Sequence, residues 1–405
     1  MSLEFKPEEV GLSSERLERV TTWMAEHVDA GRLPGALTAV VRHDKLVYLQ
    51  TYGQRDVENA KPVEADTIFR FYSMTKPITT VAAMMLYEQG RFQLDDAVAK
   101  FIPALGGLEV FVSGDENRFE TEATHRDMTI RDLMTHTSGL TYGFLEEGPV
   151  DALYRANGVD FGEGGVPLKE VVARLGEMPL LCQPGSQWNY SVATDVLGHL
   201  VEVLSGQALD EYFAEHILGP LGMVDTAFHV PEAKVDRFAA NYARAKGGGV
   251  RVIDAVEGSR FTKPAVTFSG GGGLVSTAAD YIRFCRMIAR KGELDGVRLL
   301  GRKTVEYMTI NHLPGDLSEM GQATFAETSY DGIGFGLGFS VMLDPAKAQI
   351  VGSPGEHAWG GAASTAFWID PVEDMFVIFL TQLMPSSAFP LRRELKALTY
   401  QAIID

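Results

Sequence analysis

Ser73 and Lys76 stand three residues apart in the run Tyr72-Ser73-Met74-Thr75-Lys76-Pro77. Positions i and i+3 of a helix share a face, so this spacing sets a hydroxyl beside an amine able to take its proton. A serine activated in that way is a nucleophile for acyl transfer. Pro77 is tolerated in the first turn of a helix, and Ile78, Val81, Ala82, Met85 and Leu86 then keep helical spacing until Gly90, which predicts a helix beginning close to Ser73. There the serine would lie at the positive end of the helix dipole, beside main-chain N–H groups that can meet developing negative charge. Ser-x-x-Lys also arises by chance, as a capping serine and a solvated lysine, so the chemistry needs support from the rest of the chain. No second Ser-x-x-Lys occurs.

Competing chemistries find little footing. The nine histidines include no H-E-x-x-H and no i, i+4 pair, and neither Cys182 nor Cys285 belongs to a C-x-x-C, so no metal and no cofactor is expected. The 42 glycines form neither a phosphate-binding loop nor a dinucleotide fingerprint. A G-x-S-x-G elbow is missing too, which argues against the ordinary α/β-hydrolase route to an esterase. A net charge of −18 with no basic cluster speaks against nucleic acid or anionic membrane as a partner, and mildly against anionic small substrates. The first twenty residues lack an apolar core segment, and no later run reaches the roughly 18 apolar residues of a membrane span. A cytoplasmic protein with reduced, buried thiols is expected, provided that Met1-Ser2-Leu3 does not stand in place of a removed leader.

The elements that must position the pair follow from the periodicities. Ser13 or Ser14 caps a first helix with Leu17, Val20, Met24 and Val28 on one side, and Ala36–Val41 and Leu46–Leu49 form a hairpin about His43-Asp44-Lys45. Thr129-Ile130-Arg131-Asp132 resembles a capping box leading a short helix to Gly139. Further helices are predicted from Ser191 to Leu204, with Val196, Leu197, Leu200 and Val203 buried, and from Leu209 to Leu218. A turn at Gly270–Gly273 precedes a short strand and a helix from Ala278 to Arg290. Gly332, Gly334, Gly336 and Gly338 alternate along a segment that, as a strand, would leave one face bare. Ser364–Ile369 and Met375–Leu380 read as strands, the second central, and a helix closes the chain from Leu391. The fold class is therefore α/β plus all-α: an α/β lobe from residues 1–90 and 266–405, with a mainly helical lobe, 91–265, inserted between them. Ser73 would lie at the junction, where loops 141–166 and 312–332 shape a pocket.

Six ordered motifs then carry a resemblance across about Leu12 to Leu398. They are Ser73-Met74-Thr75-Lys76, the run from Thr129 through Thr135-His136-Thr137-Ser138-Gly139-Leu140, Pro184-Gly185 before Tyr190-Ser191, Leu218-Gly219-Pro220-Leu221-Gly222-Met223, Gly271-Gly272-Gly273-Leu274, and His357-Ala358-Trp359-Gly360-Gly361. The chain resembles the serine β-lactamase-like family of class C β-lactamases and penicillin-binding DD-peptidases, and within it the family VIII carboxylesterases.

That resemblance implies an antiparallel sheet flanked by helices, with Ser73 as nucleophile, Lys76 as the amine that helps deprotonate it, and Tyr190 as a second proton carrier. It also implies an oxyanion hole from the main-chain N–H groups of Ser73 and Ala362, and a substrate-binding strand at Trp359, Gly360 and Gly361. For Lys76 to be a neutral amine at pH 7, its pKa must fall by about three units, about 4 kcal/mol, which burial can supply. Trp359-Gly360-Gly361 replaces the K-T-G of β-lactamases, so the strand brings an indole where those enzymes have a cation. Gly360 and Gly361 let that backbone approach a substrate closely. Tyr190-Ser191-Val192 likewise lacks the asparagine of Y-A-N. Both departures lean towards neutral esters over β-lactams. His136 and His357 are expected to be structural. The activity implied is hydrolysis of small to medium acyl esters. The alternatives are an acyltransferase using the same acyl-enzyme, a β-lactamase or DD-peptidase type of amide hydrolase, and a catalytically silent scaffold.

Overall fold

The computed structural model describes residues 5–159, 165–321, 324–325 and 328–405, so Met1-Ser2-Leu3 and parts of loops 141–166 and 312–332 lie outside the described residues. Helix α1, Ser14–Asp29, begins where the Arg16 N–H donates to Ser13 Oγ at 3.2 Å, and it buries Leu17, Val20, Trp23 and Met24. Strand β1, Gly35–Arg42, turns at His43 and Asp44 into β2, Lys45–Asp56. Helix α2, Thr75–Glu88, follows, ending before a left-handed Gly90. Next come α3, Ile130–Met134, α4, Ala193–Ser205, and α5, Ala278–Ala289. The chain then returns to the sheet as β3, Ile333–Phe335, β4, Ser340–Met342, β5, His357–Gly360, β6, Ala366–Asp370, and β7, Met375–Thr381, and closes with α6, Leu391–Tyr400.

These strands make one antiparallel sheet in the order β3-β4-β5-β6-β7-β1-β2, with the two-residue strand Lys61–Pro62 at the β2 edge. Both ends of the chain meet at its centre, where Leu37 pairs with Leu380 and Val40 with Val377. All of β1 is buried because both faces of the sheet are covered. Alternation sends Ala36 and Val40 against α1 and α6, in a core with Val20, Met24, Phe379 and Leu391. Leu37, Ala39 and Val41 face the other way, into the larger core that includes Ile78, Val81, Ile378 and Phe284. Helix α2, which carries Lys76, lies within this larger core beside α4, while α5 packs against β7.

Several expectations are refined. The stretch 91–265 contains two hairpins, Glu109–Gly114 with Phe119–Ala123 and Asn241–Arg244 with Val250–Asp254. Three of the four strands are largely exposed and the fourth, Asn241–Arg244, is only four residues long, so the sustained apolar alternation that marks a half-buried strand is missing. The Thr129 helix stops at Met134, and His136 takes up a positive φ of 55° in the turn beyond. In α4 the buried stripe is Ala193, Val196, Leu197, Leu200, Val201 and Leu204, which leaves Val203 exposed. Of the four alternating glycines only Gly334 lies in a strand. A Cβ at Gly334 would come within 2.5 Å of Asn311 Oδ1, at Gly336 within 2.2 Å of the Met308 carbonyl, and at Gly338 within 2.4 Å of Thr80 Oγ1. The bare face is filled by protein rather than by a ligand. Cys182 and Cys285 are both buried and free. Among the described residues, no helix is long and apolar enough to cross a membrane.

Asp132 secures the turn that brings His136 and Tyr142 to the junction. Only 5% exposed, it accepts from the Thr129 N–H and Oγ1, both at 2.8 Å, from Thr137 Oγ1 at 3.2 Å, and from Arg126 at 2.5 and 3.0 Å. Replacing it with alanine strands these donors and is expected to lower the unfolding free energy by roughly 3 kcal/mol in urea titration, while asparagine loses about half as much. A loss under about 1 kcal/mol for Asp132→Ala would mean that apolar packing alone holds the turn.

Candidate active site

Residues Tyr72–Met74 make one tight turn that runs straight into α2, so Ser73 and Lys76 share a face as their spacing requires. Tyr72 adopts φ +44°, a left-handed conformation that costs a bulky residue roughly 1–3 kcal/mol. Neighbouring elements hold it there. The Phe71 N–H donates to the Leu274 carbonyl at 3.0 Å, the Leu274 N–H to Thr75 Oγ1 at 3.1 Å, and the Tyr281 hydroxyl to the Met74 carbonyl at 2.9 Å.

Ser73 Oγ lies in a short hydrogen bond with the Tyr190 hydroxyl. On its other side is Lys76 Nζ, at 3.4 Å, which also donates to the Tyr142 hydroxyl at 2.9 Å and to the Gly271 carbonyl at 2.7 Å. Lys76 is 2% exposed. Burial pushes its pKa down to about 7, against the pull of the Asp195 carboxylate in the opposite direction. In the neutral amine, two N–H bonds remain committed to Tyr142 and Gly271, which leaves the lone pair directed at Ser73. Tyr190 is 2% exposed, and burial raises its pKa above the ordinary phenol range even though the Ser73 hydrogen bond opposes this. Near neutral pH the site therefore holds a phenol that keeps its proton beside an amine that readily exchanges one.

Behind Lys76 a second layer fixes these partners. Asp195, in the first turn of α4 and fully buried, accepts from Ser269 Oγ at 2.5 Å and from the Gly271 N–H at 2.9 Å, and lies 3.4 Å from the Tyr142 hydroxyl. Burial raises its pKa above the ordinary carboxylate value, while Lys76 and then these hydrogen bonds pull it back down. A Cβ at Gly271 would sit 2.4 Å from Asp195 Oδ2 and 2.8 Å from the Tyr142 hydroxyl, so any side chain there would displace this network. His136 is neutral: burial, and then the nearby Lys76, hold its pKa well below the usual range, and its Nδ1 is 3.2 Å from Ser191 Oγ. His357 is likewise held down, to about 4, by burial, with Nδ1 3.1 Å from the Gly355 carbonyl.

Ser73 and Tyr190 open onto a cavity of about 490 Å³ that is also lined by Phe144, Leu145, Tyr330, Trp359, Gly360, Gly361 and Ala362. The Trp359 ring centroid lies 5.9 Å from that of Tyr190, and Phe335 meets Trp359 edge-on at 5.3 Å. Space beside the two glycines is taken by protein. A Cβ at Gly360 would meet Arg392 Nη2 at 2.4 Å, and one at Gly361 the Phe71 carbonyl at 2.4 Å. The strand brings no cation, as Trp359 implies, but α6 brings Arg392 to the same cavity. Its Nη2 reaches the Thr365 carbonyl at 3.3 Å.

Ser73, Lys76 and Tyr190 thus converge as their motifs suggest, and Trp359, Gly360, Gly361 and Ala362 line the same cavity. Sequence reasoning missed Tyr142, Asp195, Ser269 and Arg392. Asp195 carried a signal, since it is a lone carboxylate within the apolar stripe of a buried helix. Tyr142 and Arg392 lie in a loop and in a closing helix where no periodicity singles them out.

A model of the beta-lactamase family matches residues 20–401. Protein Rv1367c of Mycobacterium tuberculosis is 37% identical over 364 residues, which cover 89% of this chain and 88% of that one. Esterase EstB of Burkholderia gladioli is 33% identical over 367 residues, covering 86% of each chain. Among solved structures, EstCE1, described as a hydrolase with promiscuous acyltransferase activity, superposes with a TM-score of 0.80 at 27% identity, over 95% of this chain and 99% of that one.

The state of the buried amine should be visible in the reactivity of Ser73. Labelling by a fluorophosphonate is expected to rise with pH, to be half-maximal near pH 7 and to level off above it, because the lone pair of Lys76 appears as its proton leaves. A rate still climbing at pH 10 would show an amine with ordinary basicity.

Proposed function

Because the chain belongs to the beta-lactamase family, we propose that it is a serine hydrolase that cleaves small to medium acyl esters through an acyl-Ser73 intermediate. The observation that carries this reading is Lys76: a buried amine 3.4 Å from Ser73 Oγ, its other hydrogens committed to Tyr142 and Gly271, its pKa brought to about 7. Similarity to Esterase EstB supports the ester as substrate.

In this reading Ser73 Oγ bonds to the ester carbonyl carbon while its proton passes to Lys76. The carbonyl oxygen becomes an oxyanion facing the main-chain N–H groups of Ser73 and Ala362. As the tetrahedral intermediate collapses, the alkoxide leaves with the proton of Tyr190, and the Lys76/Tyr190 pair has in sum moved one proton from serine to alcohol. Water then bonds to the acyl carbon, gives a proton to the same pair, and frees the acid, after which Ser73 recovers its hydrogen. The raised pKa of Tyr190 suits a donor, and the lowered pKa of Lys76 suits an acceptor. No step calls for a cofactor.

Acyl transfer is the second reading. It uses the same acyl-Ser73 but hands the acyl group to a bound alcohol or amine, and a cavity of about 490 Å³ has room for an acceptor beside the acyl chain. The acyltransferase activity described for EstCE1 supports it. Amide hydrolysis of the β-lactamase or DD-peptidase kind ranks lower, since Trp359 occupies the strand position of the K-T-G lysine. Arg392 makes that argument weaker than the strand alone implies.

Hydrolysis of 4-nitrophenyl butyrate is expected to exceed that of nitrocefin, and Ser73→Ala should lower it by about a thousandfold or more. If product release quickens with added alcohol and the butyryl ester of that alcohol accumulates, transfer replaces hydrolysis as the activity. Equal, slow rates from wild type and Ser73→Ala would leave a silent scaffold.

A further inference from the structure

The proposed chemistry makes no direct use of Asp195, yet a fully buried carboxylate with this many partners is an expensive feature to keep for stability alone. It touches neither Ser73 nor the cavity. What it touches is everything that touches Lys76 from behind. Its Oδ1 holds the Gly271 N–H at 2.9 Å and Ser269 Oγ at 2.5 Å, and its Oδ2 faces the Tyr142 hydroxyl at 3.4 Å. The same glycine turn is gripped from α2, where Thr79 Oγ1 donates to the Gly270 carbonyl at 2.7 Å. The two acceptors of Lys76, the Gly271 carbonyl and the Tyr142 hydroxyl, are therefore both anchored to one carboxylate.

We propose that Asp195 is a positioning residue for the Ser73 reaction. Its carboxylate clamps the Gly270–Gly273 turn and the Tyr142 hydroxyl so that both acceptors of Lys76 stay in place, and it supplies the negative charge against which the ammonium forms when Ser73 gives up its proton.

The surroundings of Lys76 leave that electrostatic task to Asp195. The turn before α2 brings the neutral Ser73, and the segment after α3 brings His136, which is uncharged, and Tyr142. Tyr190, ahead of α4, keeps its proton, the glycine turn offers a carbonyl, and the indole of Trp359, from β5, meets Tyr190. Arg392 of α6 acts on Tyr190 from the cavity side. Among the described residues, Asp195 is the anion that acts on the Lys76 amine. Without it, an ammonium buried in this site would have dipoles but no counter-charge, and Ser73 would lose its proton less readily.

The inference rests on Ser73 being the nucleophile, so its test reads Ser73 directly: the pH dependence of fluorophosphonate labelling, measured for wild type, Asp195→Asn and Ser269→Ala. The amide that Asp195→Asn introduces would keep an acceptor for Ser269 and Gly271 while losing the charge and the acceptor that faces the Tyr142 hydroxyl. The acid limb should then move to lower pH by about one unit, and the plateau rate should fall on the order of tenfold. Ser269→Ala keeps the charge and loosens the clamp. Its limb should stay within about 0.3 unit of wild type while its plateau falls severalfold. An unmoved limb in Asp195→Asn, or an equal shift in Ser269→Ala, overturns the assignment. If Asp195→Asn does not fold, as judged by circular dichroism, Ser269→Ala decides, and a plateau equal to wild type overturns the clamp. If wild-type Ser73 is not labelled at all, the nucleophile reading fails and this inference falls with it. That result is distinct from labelling that occurs with an unmoved limb.

Discussion

A lysine amine buried at the junction between a helix and a glycine turn is the constraint on which the site depends. An ammonium at 2% exposure is costly, and the protein meets that cost in two ways. It lowers the pKa of Lys76 to about 7, so that the charge need not be present. It also supplies hydrogen-bond acceptors for the charged form at 2.7 and 2.9 Å, backed by a carboxylate one layer further out. Stability and chemistry pull in opposite directions here. A fully paired, permanently charged lysine would be a poor base, and an isolated one could not hold the proton that Ser73 must give up.

The fold makes this compromise geometrically possible. The eight-stranded sheet is closed at its centre by β1 and β7, one from each end of the chain, and α2 lies in the core on one side of it with almost every residue buried. Helix α4 comes close to the glycine turn because Gly198 faces Gly270. A Cβ at Gly198 would lie 3.4 Å from the Gly270 Cα and 2.9 Å from Leu209 Cδ2. That approach delivers Asp195 to the turn. Thr79 and Thr75 of α2 hold Gly270 and the Leu274 N–H just after the turn from the other side. Tyr72 and His136, both at positive φ, are strained positions of the backbone beside the site.

Much of this was legible in the sequence, and for identifiable reasons. Spacing alone placed Ser73 and Lys76 on one face, and the capping box at Thr129, with Asp132 in place of glutamate, forms with both of its hydrogen bonds. The all-apolar Met375–Leu380 read as a central strand and lies between β6 and β1. What stayed hidden depends on contacts between distant segments. The two hairpins are short or largely exposed, so they lack the sustained alternation of a half-buried strand. Asp195 is chosen by Ser269 and Gly271, more than seventy residues away. Arg392 of α6 lies in the space that Gly360 of β5 leaves bare, a contact between helix and strand that no local pattern encodes.

The central claim is that this buried amine makes Ser73 form a covalent acyl-enzyme. It is tested most directly by mixing the protein with 4-nitrophenyl butyrate, quenching within milliseconds, and locating any added mass by intact-protein and peptide mass spectrometry. The account predicts one butyryl group on the peptide containing Ser73, formed before steady state and gone when substrate is exhausted. A burst of nitrophenol with the butyryl group on Lys76 or Tyr190, or turnover with no adduct at any time, would contradict it.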